Sequence, residues 1–496
     1  MFSVLENYRA QPRRDSRPDL PPGPRGLPVF GNMPLPGADW LAGFERAARA
    51  FGDVVYFQFL HVPMVLLVHP EAIESVLLTH PANFYKSRDY RALAKVLGNG
   101  LLTSEGEAWR AQRKMLQPAF RRENILSYAP VMLDCADRML ARWCDGETRD
   151  LHQEMMALTL DIVGRALFGA DVLRNVDRVG SALETAMQQF TRIAGWAFLL
   201  PRNFPVPGSV RMTRATRQLD EVIYGIVRER RARLQNGAGN SPDLLGSLLE
   251  IRDDEGRPLS DLQLRDNLMT LFLAGHETTA IALSWTWYLL AKHAEVECKL
   301  HAELDEVLQG RIPAADDLPR LPYTEMVLKE SMRLYPPAWG IGRQSREEFK
   351  VGGYRVPAQT NIFMLPWVTQ RDPRWFAEPE RFLPDRWREE VLRGTDAPAR
   401  NGEPPQAETP HAPASIASPP NHAAQNQKRP RFAYFPFGGG PRVCIGAGLA
   451  MLEATLLLAT IAQRYRFALV PDHPIRLFPS VTLRPRHGIR AALHKR

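Results

Sequence analysis

The segment from Phe437 to Gly446, FGGGPRVCIG, limits the possible folds of this chain more than any other stretch. Its glycines and its proline exclude a regular helix, whereas the apolar run at 449–465, LAMLEATLLLATIAQRY, has helical periodicity. Cys444 therefore lies just before a helix, where backbone N–H groups and the positive end of the helix dipole favour a thiolate. Such a sulfur is expected to be a nucleophile or a metal ligand.

The other cysteines are scattered along the chain, and their spacing limits their chemistry. None of the four cysteines lies in a CxxC, CxxCH or Cys/His cluster. This spacing argues against a disulfide framework, a structural zinc site and covalently attached haem. We expect Cys135, Cys144 and Cys298 to be buried structural residues. The N-terminal stretch MFSVLENYRAQPRRDSRPDL has no apolar run long enough for a signal peptide or membrane anchor, which predicts a cytoplasmic setting.

The charge balance is basic but not segregated. The chain has 63 Lys and Arg against 55 Asp and Glu, a formal net charge of +8. No nucleic-acid-binding motif and no basic run interleaved with aromatic residues is present, so a nucleic-acid partner is not expected. A local basic face for an acidic protein partner is the better interpretation.

The pattern of apolar residues predicts a mainly α chain with small β-sheets. The segment 21–32, PPGPRGLPVFGN, is expected to pin the N-terminus against the body, and 53–69 to form a hairpin. Helical spacing dominates 70–335, and short strands are predicted within 349–357 and 360–366. The Pro-, Ala-, Asn- and Gln-rich segment 394–430 is predicted to be a solvent-exposed, mobile insertion.

The cysteine segment resembles the haem-binding loop of the cytochrome P-450 family, Phe-x-x-Gly-x-Arg-x-Cys-x-Gly. Phe437, Gly440, Arg442, Cys444 and Gly446 are all in register with that pattern. The resemblance, which spans roughly residues 20–490, implies a single domain over 1–496 with the cytochrome P-450 fold. It implies heme b held between a long central helix and the helix after the cysteine loop, with the Cys444 thiolate as axial iron ligand.

Three further motifs of that family follow in the expected order. ESMR places Glu330 and Arg333 on one helix face, and the resemblance adds Arg386 from PERFLPDRW as their partner. The chain has Gln370 where the family often has histidine, which leaves one minor contact open.

The hexapeptide AGHETT at 274–279 resembles the oxygen-activation motif of the family. Thr278 can donate a hydrogen bond to a carbonyl one helical turn earlier and so loosen the helix, and Glu277 is a titratable group suited to proton delivery. The resemblance implies Ala274 and Gly275 as haem-binding residues, and Gly275 has no side chain where a diatomic ligand must fit. His276 is interpreted as a bystander.

The sequence WRAQR resembles the family motif that binds a haem propionate. Trp109 and Arg113 lie at positions i and i+4 of a helix and face the same way. Arg343 and Arg442 match two more propionate-binding positions. We therefore expect these residues to anchor two buried carboxylates.

The resemblance implies a haem-thiolate monooxygenase that inserts one oxygen atom from O2 into an apolar substrate. Fatty acids, terpenoids, steroids and polyketides all suit the predicted apolar pocket, which includes Leu273, Ala338, Trp339, Ile341 and the stretch 195–200. Two alternatives stay open at this point. They are a peroxide-using or O2-independent haem-thiolate enzyme and a non-enzymatic haem sensor.

The chain contains no flavin- or NAD-binding fingerprint after the cysteine helix, so a separate electron donor is expected. A ferredoxin or flavodoxin with its NAD(P)H reductase would fit, since both carriers are typically acidic. The predicted docking face consists of Lys428, Arg429, Arg431, Arg110 and Lys114.

Overall fold

The computed structural model describes residues 19–27, 31–32, 39–169, 182, 185–186, 209–236, 243–253, 255–396 and 429–496. Two stretches singled out in the sequence fall outside the described residues. They are 195–200 and, apart from its two ends, the predicted insertion 394–430.

Helices dominate the described chain, as predicted, and are numbered here in chain order. They are α1 (Trp40–Phe51), α2 (Pro70–Glu74), α3 (Asp89–Leu97), α4 (Gly106–Leu116), α5 (Arg122–Ser127), α6 (Ala129–Leu140), α7 (Leu151–Phe168), α8 (Ser209–Gln235), α9 (Leu244–Glu250), α10 (Asp261–Lys292), α11 (Ala294–Leu308), α12 (Pro322–Leu334), α13 (Pro366–Thr369), α14 (Arg388–Asp396) and α15 (Ala447–Ala462).

The largest sheet among the described residues is built around the predicted hairpin. β1 (Val54–Phe59) pairs antiparallel with β2 (Val62–Leu67), and the strand order continues through β8 (Asn361–Met364) and β5 (Ile341–Ser345) to β3 (Phe84–Lys86). The proline-glycine segment lies along β1, because the Tyr56 N–H donates to the Pro22 carbonyl at 2.8 Å. The prediction that this segment pins the N-terminal end to the body is confirmed.

Smaller sheets account for the remaining described strands. β4 (Thr148–Asp150), β12 (Arg490–Lys495) and β9 (Tyr465–Leu469) form one, in the order β4-β12-β9. β6 (Phe349–Val351) pairs with β7 (Tyr354–Val356), and β10 (Leu477–Pro479) pairs with β11 (Leu483–Pro485). The strands predicted within 349–357 and 360–366 are therefore present as β6, β7 and β8.

Helix α10 runs through the interior, and most of its side chains are buried. It begins at a capping box in which Ser260 Oγ accepts from the Gln263 N–H at 3.2 Å and Gln263 Oε1 accepts from the Ser260 N–H at 2.9 Å. A cap of this kind contributes about 1 kcal/mol to helix stability. Beyond it α7, α12 and α15 pack on several faces of the helix, which accounts for its burial.

The predicted Glu330, Arg333 and Arg386 cluster is present and buried. Arg333 Nε and Nη2 donate to the two carboxylate oxygens of Glu330 at 2.8 and 2.9 Å, and Arg386 Nε donates to Glu330 Oε1 at 3.0 Å. The Trp387 indole N–H also donates to Glu330, at 2.9 Å. Because every lone pair of this buried carboxylate has a donor, the cluster joins α12 firmly to the turn Pro384–Trp387.

Gln370 fills the position where the family often has histidine. Its Nε2 donates to the carbonyls of Met332 and Arg333, each at 3.1 Å, and its Oε1 accepts from the Phe435 N–H at 3.1 Å. The amide therefore connects the end of α12 to the chain that leads into the cysteine loop.

Two of the three cysteine predictions are wrong. Cys135 is buried, but Cys144 and Cys298 are exposed. Cys298 lies on the solvent side of α11, whose buried face is formed by Val296, Leu300, Leu304 and Leu308. In the part of the chain that the structure describes, no helix is both long enough and apolar enough to cross a membrane.

Candidate active site

The cysteine loop is a tight turn that ends at the start of α15. The Cys444 N–H donates to the Phe437 carbonyl at 3.0 Å, which closes the turn. Gly440 has a φ of +66°, and a Cβ there would lie 1.8 Å from the Leu77 carbonyl oxygen. Only glycine fits this position, because both the backbone conformation and the close approach exclude a side chain.

Cys444 is an exposed residue, although protein atoms surround much of its sulfur. Burial raises the pKa of Cys444, opposed by a hydrogen bond from the Gly446 N–H and by the charge of Arg113. In the protein alone, burial outweighs both favourable contacts, and the thiolate stays a prediction for the haem-bound protein. A bound metal ion would displace this proton, as metal binding does for cysteine ligands in general.

Helix α10 exposes one short stretch within an otherwise buried surface. Ala274 is exposed, and Gly275 and Thr278 are partly exposed, whereas most of the residues around them are buried. Thr278 Oγ1 donates to the Ala274 carbonyl at 2.7 Å, so the predicted hydrogen bond to the preceding turn is present. The stretch therefore borders space inside the protein and presents a hydroxyl there.

Gly275 has a packing role that the sequence did not indicate. A Cβ at this position would lie 3.2 Å from Val163 Cγ2, so the glycine lets α7 approach α10 closely. The contact places Gly275 between the two helices, in addition to any room that it leaves for a ligand.

Glu277 is buried against the C-terminal strands. Its Oε1 accepts from Arg484 Nε at 2.6 Å and from the Thr482 hydroxyl. Burial raises the pKa of Glu277. The charge and the hydrogen bond of Arg484, together with the hydrogen bond of the Thr482 hydroxyl, lower the pKa by more than burial raises it, so the net shift is downward. The carboxylate is therefore ionised at neutral pH. Neither Arg484 nor Thr482 could be predicted, because both lie far from Glu277 in the sequence.

The neighbouring His276 is also buried, and its Nδ1 has no hydrogen-bond partner among the described residues. Burial lowers the pKa of His276 to about 4. The imidazole is therefore neutral at physiological pH.

A group of cations gathers beside the cysteine loop. Lys86 lies directly opposite Arg343 in the β3–β5 pair, and Arg442 lies over the Trp109 ring at 4.5 Å. Burial and the charges of Arg442 and Arg343 lower the pKa of Lys86 to about 7, with Glu105 opposing them. Like charges opposite one another in a sheet are destabilising, so an anion bound beside these cations would stabilise them.

The sequence predicted most but not all of these residues. Trp109, Arg343 and Arg442 lie together, whereas Arg113 donates from Nη1 to the Val443 carbonyl at 2.8 Å, next to Cys444. Lys86 was missed, because no motif marks it and only the β3–β5 register brings it to Arg343.

The residues present fit a haem. An exposed cysteine, an exposed stretch on a buried helix and a cluster of three cations around Glu105 match the iron, the flat macrocycle and the two propionates of that group. Cys444 would hold the iron and Phe437 would lie in the supporting loop. Arg343, Arg442 and Lys86 would hold the carboxylates.

The predicted substrate-pocket residues lie in different surroundings. Trp339 is partly buried, and its indole N–H donates to the Ser480 carbonyl at 2.9 Å. Ile341 lies against the cysteine loop, since a Cβ on Gly438 would be 3.4 Å from its Cδ1. Ala338 is partly exposed, whereas Leu273 is buried.

Comparisons with known proteins agree with this site. The family model described as Cytochrome P450 matches residues 21–489. Cyclooctatin synthase of Streptomyces melanosporofaciens is 36% identical over 93% of this chain and 92% of its own length. Cyclooctat-9-en-7-ol 5-monooxygenase of the same organism is 34% identical over 94% of this chain and 95% of its own. Pentalenene oxygenase of Streptomyces avermitilis is 31% identical over 90% and 92%.

Proposed function

The chain belongs to the cytochrome P450 family, and on that premise we propose that this haem-thiolate monooxygenase oxidises a C–H bond of a cyclic terpenoid. The names of the relatives support the substrate class, because they include a cyclooctat-9-en-7-ol monooxygenase and a pentalenene oxygenase. The reaction consumes the substrate, O2, two electrons and two protons, and it yields the hydroxylated product and water.

The observation that carries the proposal is the pairing of an accessible Cys444 thiol with the exposed stretch at Ala274 and Thr278. Helices α15 and α10 pack against each other, so both features border the same region of the protein. A purely structural cysteine loop would need neither an accessible thiol nor an accessible hydroxyl on a buried helix.

Haem, when bound, would supply the activation of dioxygen, and a thiolate ligand suits that chemistry. The protein supplies ligation, orientation and protons. Cys444 would hold the iron, and Arg113 fixes the adjacent Val443 carbonyl and so the direction of the loop. The small Ala274 side chain leaves room on the opposite helix. The Thr278 hydroxyl holds a proton at Oγ1 and can pass it on while its bond to the Ala274 carbonyl keeps it in place.

The electron donor in this proposal is an acidic ferredoxin or flavodoxin that docks beside the cysteine loop. Arg110 and Lys114 on α4 and Arg431 are exposed, as the sequence predicted. Arg429 is not available for docking, because its guanidinium lies over the rings of Phe376 and Trp387 at 4.4 and 4.6 Å. Lys428 lies outside the described residues.

Two further arginines extend this face toward the iron ligand. Arg121 and Arg122 are exposed, and the residues that flank them contact the cysteine loop. A Cβ on Gly446 would lie 3.8 Å from Phe120, and one on Gly448 would lie 3.4 Å from Ile125. A carrier bound at these arginines would be close to Cys444, where electrons must enter.

Charge reversal tests the docking face. Lys114→Glu with Arg122→Glu should weaken binding of an acidic ferredoxin and flatten the salt dependence of its association rate. The control is Lys350→Glu, an exposed lysine on β6. Equal binding by the control and the double variant would contradict the proposed face.

The exposed cysteines bear on the cellular compartment in which the protein works. Cys144 and Cys298 are exposed and unpaired, which suits a reducing environment such as the cytoplasm.

The activity is tested by supplying the purified enzyme with NADPH, a surrogate reductase and ferredoxin, and a panel of cyclic sesquiterpene and diterpene hydrocarbons and alcohols. Products formed under labelled dioxygen should contain one labelled oxygen atom. Product formed only with added peroxide, or without dioxygen, would favour the alternative haem-thiolate chemistries. Ligand-induced spectral change without any product would favour a sensor.

A further inference from the structure

A cavity of about 180 Å³ lies where α10 ends, about 21 Å along the helix axis from Thr278. Tyr288 and Lys292 of α10 form part of its wall, and the rest comes from the chain that leaves β9 and from Arg490 at the start of β12. The candidate active site uses none of these residues. This α10-end cavity is therefore a separate feature of the molecule.

Cationic and apolar side chains line the α10-end cavity together. The described residues of its lining include Lys292 and Arg490 but no aspartate or glutamate. In the described part of the chain neither of these two cations forms an ion pair, and Lys292 Nζ donates to the Tyr288 hydroxyl at 3.4 Å. The apolar part of the lining consists of Leu469, Val470 and Ile475.

The two cations differ from others at the same sheet. Arg149 of β4 binds two glutamates at 2.8 and 2.9 Å, and Arg496 binds Asp305 at 2.8 Å. An unpaired cation on an open surface is stabilised by water, but Lys292 and Arg490 share a cavity whose apolar walls replace part of that water. Because two like charges repel each other there, an anion bound between them would stabilise both.

The size and the walls of the α10-end cavity limit the kind of anion. It is smaller than the roughly 300–1,000 Å³ of pockets that hold drug-sized ligands. A carboxylate can accept charge-assisted hydrogen bonds from an ammonium and a guanidinium group at once. The apolar lining then favours a ligand that also carries several carbon atoms over an inorganic ion.

The α10-end cavity lies at the base of the β10–β11 hairpin. His473 precedes the hairpin and Arg490 follows it, so the lining includes chain from both sides. The base is closed by the Arg486 N–H, which donates to the Arg476 carbonyl at 2.7 Å, and by His473 Nε2, which donates to the Gly488 carbonyl at 3.3 Å. A ligand that contacts both sides would hold this base closed.

The same hairpin is bonded to α10 near the cavity and near Thr278. The Trp285 indole N–H donates to the Leu483 carbonyl at 2.8 Å, and Arg484 binds Glu277. Tyr288, which lines the α10-end cavity, packs edge-on against Trp285 with 5.7 Å between the ring centroids. The cavity therefore borders the contacts that hold the hairpin on the helix.

We propose that the α10-end cavity is an effector site for a small organic anion that carries one carboxylate and a short apolar body. The carboxylate binds Lys292 and Arg490, and the apolar body covers Leu469 and Ile475. The bound anion stabilises the β10–β11 hairpin against α10, so it secures the contact between Arg484 and Glu277. Neither the substrate nor the electron donor enters this proposal.

Binding is tested by calorimetric titration of the holoenzyme with cyclohexanecarboxylate. An azole that ligates the iron is added first, so that the probe is kept out of the active site. Saturable binding of one molecule per chain is expected. The neutral analogue cyclohexylmethanol and inorganic phosphate should each bind more weakly, because one lacks the charge and the other the apolar body. Absence of saturable binding, or equal affinity for phosphate, would overturn the proposed ligand class.

Substitutions assign the binding to the cavity. Lys292→Met and Arg490→Met should each weaken binding of cyclohexanecarboxylate by about tenfold or more, whereas Lys292→Arg should retain it. Both positions are exposed, so haem content should not change. The matched control is Arg476→Met, which removes an exposed cation of the same segment outside the lining and should bind like the wild type. Equal affinities in all of these variants would place the binding elsewhere and overturn the proposal.

Hydrogen exchange tests the effect on the hairpin without turnover. With cyclohexanecarboxylate at ten times its dissociation constant, amides of 477–485 should exchange up to about tenfold more slowly, because opening the hairpin would first require release of the ligand. The Arg490→Met variant should lose this slowing at the same ligand concentration. Unchanged exchange in 477–485 with the wild-type site saturated would show that the anion does not act on the hairpin.

Discussion

Glu277 and Arg484 form a buried ion pair, with 2.6 Å between Arg484 Nε and Glu277 Oε1, that joins α10 to β11. The Glu277 side chain is 2% exposed and that of Arg484 16% exposed, so water does little to screen the pair. The pair therefore binds the C-terminal strands to the helix that carries Thr278.

Breaking this pair from one side should destabilise the fold. Glu277→Gln leaves the Arg484 charge without its partner and should lower the free energy of unfolding by about 3 kcal/mol, measured by urea denaturation at neutral pH. The double variant Glu277→Gln with Arg484→Met removes both charges and should be more stable than the single variant.

The same pair has a pH signature. The pKa of Glu277 is below its usual value of 4.5 in the folded state, so its stabilisation is present above about pH 4.5 and is lost as the pH falls through the lower folded value. The difference in stability between the wild type and Glu277→Gln should therefore shrink in acid. If the difference in stability between the wild type and Glu277→Gln stays constant as the pH falls, the carboxylate charge is not the cause of the stabilisation.

Cys444 is expected to be the iron ligand. Cys444→Ser should abolish the strongly red-shifted absorption band of the ferrous carbon monoxide complex, since an alcohol does not replace the thiolate. Cys298→Ser, at an exposed position on α11, should retain the band. Survival of the band in Cys444→Ser would require a different ligand.

Thr278 is expected to couple electron use to product formation. Thr278→Ala should still bind haem and substrate but release more peroxide per NADPH, and product per NADPH should fall about tenfold or more. Thr278→Ser keeps a hydroxyl group able to donate to the Ala274 carbonyl and should stay largely coupled. A fully coupled Thr278→Ala enzyme would remove this hydroxyl from the mechanism.

Lys86 is expected to make haem affinity depend on pH. Its pKa is about 7 with Glu105 as a neighbouring carboxylate, below the ordinary 10.5, and two propionates would raise it. Haem binding should therefore take up a proton at Lys86 within that window, so haem should dissociate faster as the pH rises from about 7 toward 10. The measurement is the rate of haem transfer to a scavenger protein.

Lys86→Met should flatten this dependence, whereas Lys350→Met at an exposed position on β6 should leave it unchanged. Identical pH profiles for the wild type and Lys86→Met would contradict the assignment of Lys86 to the carboxylate site.

The segment 397–428, the part of the predicted insertion 394–430 that lies outside the described residues, is expected to be dispensable for the fold. Its composition, rich in Pro, Ala, Asn and Gln and poor in large apolar side chains, offers little to a packed core. A short Gly/Ser linker can therefore replace it at little entropic cost, and haem content and the thermal midpoint should stay nearly unchanged. Loss of haem in the shortened protein would show that the segment supports the cysteine loop.

The sequence alone identified the features that depend on local spacing. FGGGPRVCIG, ESMR and AGHETT each predicted local geometry that the structure contains, because a turn or one helical repeat fixes the relation between neighbours. Thus Glu330 and Arg333 pair at i and i+3, and Thr278 bonds back to Ala274 at i−4. The hairpin of β1 and β2 and the helical region were predicted for the same reason.

The tertiary structure decided the features that depend on long-range contacts. Arg484 reaches Glu277 and Lys86 lies opposite Arg343, and in both cases the partners are far apart in sequence. The ionised state of Glu277 follows from its contact with Arg484, because burial raises a carboxyl pKa and a nearby cation or donor lowers it again. The residue types fixed the chemistry that was possible, whereas packing brought Glu277 to the cation that keeps it ionised.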